Sequence, residues 1–205
     1  PYNPRMEPTH ITTIAATSMG EHKAKGSRFL AYAYPLSRAD DLKPILQTLR
    51  EEHHKAVHWC YAYRLGTEGL QFRANDDGEP NNSAGMPIYG QIQSFEVTNV
   101  LVVVVRYFGG VKLGVGGLIS AYKIAAQMAL ENSEIVERTI DKHFIISFGY
   151  ANMNKVMRII KEKNLQIVSQ KMEMDCEIEI SIRKKNVQNL LDTFENLYEI
   201  KLTEI

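Results

Sequence analysis

The stretch VLVVVVRYFGGVKLGVGGLISAYKIAAQMAL, from Val100 to Leu130, restricts what this chain can fold into more than any other. Val100 to Val105 are aliphatic without alternation and mostly β-branched, the pattern of a strand covered on both faces. Leu118 to Leu130 are apolar on nearly every side, which predicts a helix enclosed by other elements at the heart of its domain. Between the two, five of the chain's 13 glycines fall within Gly109–Gly117, and the helix is expected to begin at Gly116 or Gly117. A strand, a glycine-rich turn and a helix in that order leave open backbone N–H groups and the positive end of a helix dipole where nothing bulky blocks an anion. Arg106, Lys112 and Lys123 add positive charge, and no Asp or Glu occurs between Val97 and Leu130.

Arg106, Gly109, Gly110, Lys112, Gly114, Gly116 and Gly117 are therefore the candidate anion-binding residues. The same glycines also serve a purely structural end, supplying positive-φ turns and letting the helix approach a crowded sheet. Both readings stand at this level. A Walker loop requires Lys and Ser or Thr where Val115 and Gly116 stand, and a dinucleotide fingerprint begun at Gly114 requires glycine where Ile119 stands.

A chain of 205 residues with 44% hydrophobic and 23% charged residues is long enough for one large or two smaller globular domains. Lys plus Arg and Asp plus Glu are equal at 24 each, so bulk charge draws the protein to neither nucleic acid nor membrane, and any polyanion contact must be a local patch. The Val100–Val105 run is far shorter than the roughly 20 residues a bilayer requires. Cys60 and Cys176 are too distant to suggest a CxxC ligand pair or a disulfide framework, which fits a reducing, cytoplasmic location. The start, PYNPRMEP, shows no leader pattern and lacks an initiator Met, so some N-terminal residues are expected to be missing.

Along the chain, Arg28–Leu36 reads as a strand and Leu42, Ile45, Leu46 and Leu49 as one face of a helix ending near His54. His58–Leu65 and Leu70–Ala74 flank GTEG as a hairpin, and Ser83 is the expected cap of a short helix running to about Gln93. From Ile140 the order changes to β-α-β-β-α-β, the ferredoxin-like unit. Its clearest strand is Cys176–Ile182, where apolar and polar residues alternate. The expected domains are residues 1–137 and 138–205.

Other candidate chemistry is sparse. Asp76, Asp77 and Glu79 in DDGEP suggest a cation site or acid/base groups, but the spacing fits no calcium loop and a solvated turn is the favoured reading. His53 and His54 are expected to meet the carbonyls that end their helix. His58 and Cys60, two apart on a strand, share a face, but a pair of ligands makes no zinc site, and a buried thiol beside a hydrogen-bonded imidazole is favoured. A Cys-His nucleophilic pair would need a lowered thiol pKa, and Ser83 has no evident base. IRKKN, Ile182–Asn186, is the densest basic stretch and reads as the solvated start of a helix.

HWCYAYRL, NDDGEPNNSAGMPI and VVVVRYFGGVKLGVGGLISAY, in this order and followed by a ferredoxin-like tail, resemble the IMPACT/YigZ family over nearly the whole chain. The resemblance implies an α+β fold of two domains. The first is similar to the second domain of a small-subunit ribosomal protein, a βα fold, and the second to the last domain of elongation factor G. Eukaryotic relatives regulate translation by binding a partner protein of a stress-response kinase. Bacterial relatives are implied to be cytoplasmic and to bind nucleic acid or the translation machinery. The family signature falls on His58, Cys60, Asp76, Asp77, Gly78, Glu79, Pro80, Ala84, Gly85 and Arg106 through Tyr122. This chain departs at Asn82 and Ser83, where relatives have a small residue or threonine, and at Met86, often basic in relatives.

Two expectations follow. Asp76, Asp77 and Glu79 should pair with Arg106 or Lys112 beside the glycine turn, making one polar site with His58, Cys60 and Ser83. The function implied is a non-enzymatic regulator with RNA, the ribosome or a translation factor as partner and no cofactor or metal. The alternative is an enzyme acting on a phosphorylated small molecule or a peptide, whose fold would resemble small-molecule kinases.

Overall fold

In a computed structural model the described residues are 9–67 and 70–205; the start PYNPRMEP and half of the GTEG turn, Glu68 and Gly69, lie outside them. Two compact units divide the chain, Ile11–Arg138 in one and Thr139–Ile205, with residues 9 and 10, in the other.

The first unit is built on a five-stranded antiparallel sheet. Its strands are β2 (Ser18–Ala24), β3 (Ser27–Pro35), β4 (His58–Leu65), β5 (Gln71–Asn75) and β6 (Val100–Tyr107), in the order β2-β3-β6-β4-β5. The unalternating aliphatic run is its central strand. Val100, Val102 and Val104 pack on one face with α2 (Gly85–Ser94) and α3 (Gly114–Glu131), while Leu101, Val103 and Val105 pack on the other with α1 (Leu42–Glu52). Burial on both sides removes any position for a polar side chain until Arg106. Two further strands, β1 (His10–Ile14) and β7 (Ile135–Thr139), pair with each other and carry no strong sequence signal.

One helix differs from expectation, and another, expected to run to about Gln93, forms with Gly and Pro inside it. α3 starts at Gly114, two to three residues early, and it is not enclosed. Its buried side is mostly alanine, with Ala121, Ala125, Ala126 and Ala129 beside Leu118 and Tyr122, whereas Val115, Ile119 and Ile124 face solvent. Small residues let the helix lie flat on the sheet; a Cβ on Gly20 of β2 would fall 2.6 Å from the Ala129 nitrogen. An all-apolar pattern shows what a helix tolerates and not how many neighbours cover it. α2 forms despite its Gly and Pro residues. Pro87 sits in the first turn, where an N–H would lack a partner, and a side chain on Gly85 would strike the Asn75 backbone at 2.5 Å.

The second unit follows the order β8 (Asp141–Gly149), α4 (Met153–Glu162), β9 (Gln166–Met172), β10 (Asp175–Arg183), α5 (Val187–Phe194), β11 (Ile200–Glu204). Its antiparallel sheet runs β11-β8-β10-β9. The alternating Cys176, Ile178, Ile180 and Ile182 turn inward against Val156, Ile160, Leu190 and Phe194 of the two helices. Each unit therefore has its own core. Among the described residues no helix is long and apolar enough to cross a membrane.

Candidate functional site

Arg106 is the penultimate residue of the central strand and Glu79 lies in the loop after β5, 27 residues earlier, yet both are buried and meet. Glu79 Oε1 accepts from Arg106 Nη1 at 2.5 Å and from the Tyr122 hydroxyl of α3 at 2.6 Å, with His58 Nε2 at 3.8 Å. The guanidinium is further held by the Ser27 hydroxyl at 3.5 Å and lies over the rings of Phe29 and Phe108, at 5.5 and 5.7 Å. A buried carboxylate is tolerated here because a cation and a hydroxyl donate to it.

The other carboxylates of DDGEP go elsewhere, correcting the expectation of one shared site. Asp76 caps α2 from a distance: Oδ1 accepts from the N–H groups of Ala84 (3.1 Å) and Gly85 (2.8 Å), and Oδ2 from that of Asn82 (2.9 Å). The Ala84 and Gly85 groups are orphan donors of the helix start, so Asp76 fills the role assigned to Ser83. Ser83 is buried, and its hydroxyl donates to the Pro80 carbonyl. Asp77 accepts from the Trp59 N–H at 2.8 Å and pairs with Arg50 of α1 at 3.2 Å. Positive φ at Asp77, Gly78 and Asn82 folds the loop tightly enough to send three neighbouring carboxylates in three directions.

His58 and Cys60 share a face of β4 but do not pair. His58 Nδ1 donates to the Asp77 carbonyl at 2.7 Å; a carbonyl only accepts, so the proton is on Nδ1 and Nε2 turns toward Glu79. The Cys60 sulfur lies 3.0 Å from the Asp76 carbonyl and 3.4 Å from the Tyr122 hydroxyl. Burial pushes the thiol well above its usual range, against the smaller opposing effect of the Tyr122 hydrogen bond, so it stays protonated at neutral pH. Burial raises the Tyr122 hydroxyl likewise. His53 does not meet the helix carbonyls; its ring bridges the hydroxyls of Tyr32 (2.6 Å) and Tyr107 (2.7 Å). Among the described residues no three His, Cys, Asp or Glu side chains converge as a metal site.

The glycines divide by role. A Cβ on Gly109 would fall 2.0 Å from the Gly26 backbone, and the Gly109 N–H donates to the Ser27 hydroxyl at 3.2 Å, so this glycine is packing. Gly110 and Gly114 have φ of +86° and +74°, which only glycine adopts easily. Gly116 has neither constraint: its surroundings are open and its φ is not positive. The first turn of α3 has Leu113 at its N-cap and no side-chain cap.

Beside that turn is a cavity of about 490 Å³. Val57, Pro80, Phe108, Leu113, Val115 and Leu118 supply apolar wall, His58, Glu79 and Arg106 the polar floor, and exposed Lys112 joins the lining. The structure thus brings Arg106, Lys112, Gly114, His58 and Glu79 together. It leaves Asp76, Asp77, Cys60 and Ser83 as supporting structure. No site role was legible in the sequence for Tyr122 and Ser27, the two hydroxyls that complete the Arg106–Glu79 pair, or for the apolar residues Val57, Phe108 and Val115, although Phe108, Val115 and Tyr122 lie within the family signature. A tyrosine amid the alanines of the buried helix face was the available signal for the first.

Residues 25–130 match the Impact N-terminal domain family. The chain is 34% identical over 173 residues to an IMPACT family member of Haemophilus influenzae, covering 82% of each chain. It is 31% identical to the IMPACT family member YvyE of Bacillus subtilis, over 81% of this chain and 77% of that one. A crystal structure of a hypothetical protein shares the fold with a TM-score of 0.75 at 23% identity, over 97% of this chain and 98% of that one.

Proposed function

Because the chain belongs to the IMPACT family, we propose that it is a regulator linked to translation, working by docking a partner protein at the cavity beside the start of α3. The observation that carries this reading is the cavity's composition. Its walls are apolar, and Phe108 and Val115 in its lining are each about half exposed, at 52%. Exposed apolar side chains gathered around a concave site suit the anchor residue of a protein segment better than a phosphate chain. The glycine turn keeps a part in this reading. Lys112 and the uncapped first turn of α3 favour a carboxylate next to that anchor, so the guest is an apolar side chain with an acidic neighbour.

Arg106 is not the anion receptor the glycine-rich pattern suggested, because Glu79 already holds it. The same neutralisation supports binding over chemistry, as does a Cys60 thiol held protonated. A reducing, cytoplasmic setting fits two buried free thiols, Cys60 and Cys176.

The test places a photo-cross-linking phenylalanine analogue at exposed Val115 of the full chain and identifies adducts in cell extract by mass spectrometry. Cross-links to a ribosomal protein or translation factor, lost when Lys112→Glu is added, are the expected result. Cross-links to RNA alone, or protein cross-links indifferent to Lys112, would overturn it.

A further inference from the structure

The basic stretch at the end of β10 is a largely exposed helix start, as expected, and it also borders a concavity. Arg183 closes the strand, Lys184–Asn186 form a single 3-10 turn, and α5 follows at once. Arg183 stands opposite Asp141, the first residue of β8, and Lys163 and Asn164 end α4 where the chain turns into β9. These ends surround a second cavity, of about 480 Å³, lined by Lys163, Arg183, Lys185, Asp141, Asn164 and Asn186 among others. Leu165 and Ile182 are its only aliphatic lining residues.

The charge in this cavity is unbalanced. Three cations face one carboxylate, and among the described residues none of Lys163, Arg183, Lys185 or Asp141 forms an ion pair. Lys163 is held by a neutral group, donating to Asn189 Oδ1 at 2.5 Å. The placement also runs against the helix dipole: the turn leading into α5 carries Lys184 and Lys185, and the first turn of α5 has no acidic residue. Converging like charges at the positive end of a helix are disfavoured unless an anion joins them.

We infer that this cavity binds phosphate groups. Asn164, Gln166, Ser181 and Asn186 supply hydrogen-bonding side chains around the cations, which suits a phosphate carried on a sugar. The chemistry is shared by the backbone of single-stranded RNA and by a phosphorylated small molecule, and the test separates them. This site lies in the second unit, and its test leaves Lys112 and the α3 cavity untouched.

The full chain is titrated with a fluorescein-labelled oligouridine by anisotropy at several potassium chloride concentrations, and with pyrophosphate by calorimetry. If RNA is the source, Arg183→Gln/Lys185→Gln weakens binding and makes the slope of log affinity against log salt shallower by about 1.4, or about 0.7 per lost contact. Asp141→Asn, which removes the cavity's carboxylate, tightens binding. If a small molecule is the source, pyrophosphate binds saturably to the wild type and not to the double variant, and the RNA titration is flat. Lys163→Gln, on a separate element, reproduces the loss in either case and separates lost charge from a disturbed α5. The inference is overturned if neither ligand binds, or if binding is indifferent to Arg183, Lys185 and Lys163.

Discussion

Two cavities of nearly equal volume, about 490 Å³ in the first unit and about 480 Å³ in the second, have opposite chemistry. In the first, the floor cation is bonded internally to Glu79, and what faces outward is largely apolar. In the second, three cations line the wall with no ion-pair partner among the described residues, and almost nothing apolar is offered. A net charge of zero over the whole chain conceals this difference. Whether a cation is available to a ligand depends on which side chain another element brings beside it. A protein anchor suits the first arrangement and a phosphate the second.

The contrast breaks most severely if the internal neutralisation is removed. Arg106→Leu leaves Glu79 buried beside Tyr122 without its cation and is expected to destabilise the first unit by about 3–5 kcal/mol in urea unfolding. Arg106→Leu with Glu79→Leu should lose less, because no unpaired charge is left behind. If Arg106→Leu unfolds like the wild type, the pair does not neutralise the cavity floor.

A smaller effect separates the glycines of the turn beside the first cavity. Gly109→Ala drives a methyl into the Gly26 backbone and should cost about 1–3 kcal/mol. Gly116→Ala meets open space in a helix and should stabilise by up to about 1 kcal/mol. Equal thermal shifts for the two variants would contradict the division between packing and open glycines.

The smallest expected effect is alkaline. Cys60 and Tyr122 are acids whose pKa values folding raises, so the stability they give is complete below their unfolded values and is lost as pH rises past them. With a free thiol ionising near pH 8.5, the loss through Cys60 should be on the order of 1 kcal/mol by pH 9.5. Thermal unfolding at pH 7.5 and 9.5 should show this loss, and Cys60→Ala should flatten it. A pH-independent transition would mean that the thiol is not sealed from water.

Much of the fold was legible because its signals are local. The unalternating run at Val100–Val105 marked the central strand, and the alternation at Cys176–Ile182 marked an inward-facing one. The β1 and β7 strands were missed because short mixed sequences become strands only when a partner is present. The candidate site was legible in part. Glu79, His58, Arg106 and Lys112 do surround one cavity, but Asp76, Asp77, Cys60 and Ser83 are drawn into capping, ion pairing and packing around it. The basic stretch of the second unit is the exposed helix start its sequence suggested, but the cavity beside it was not legible, because Lys163 and Asp141, which close that cavity, lie far off in the chain.

The sequence by itself determined which segments could be buried, where helices and strands alternate, and that the bulk charge is zero, since each of these is a sum over neighbouring residues. Tertiary structure alone decided that Arg106 meets Glu79 and not Asp76 or Asp77, and that Val115 and Ile119 of an apolar helix face outward. Those outcomes depend on chain closure. Hydrogen bonds and ion pairs act over a few ångströms, and only the folded backbone sets which groups distant in sequence come within that range.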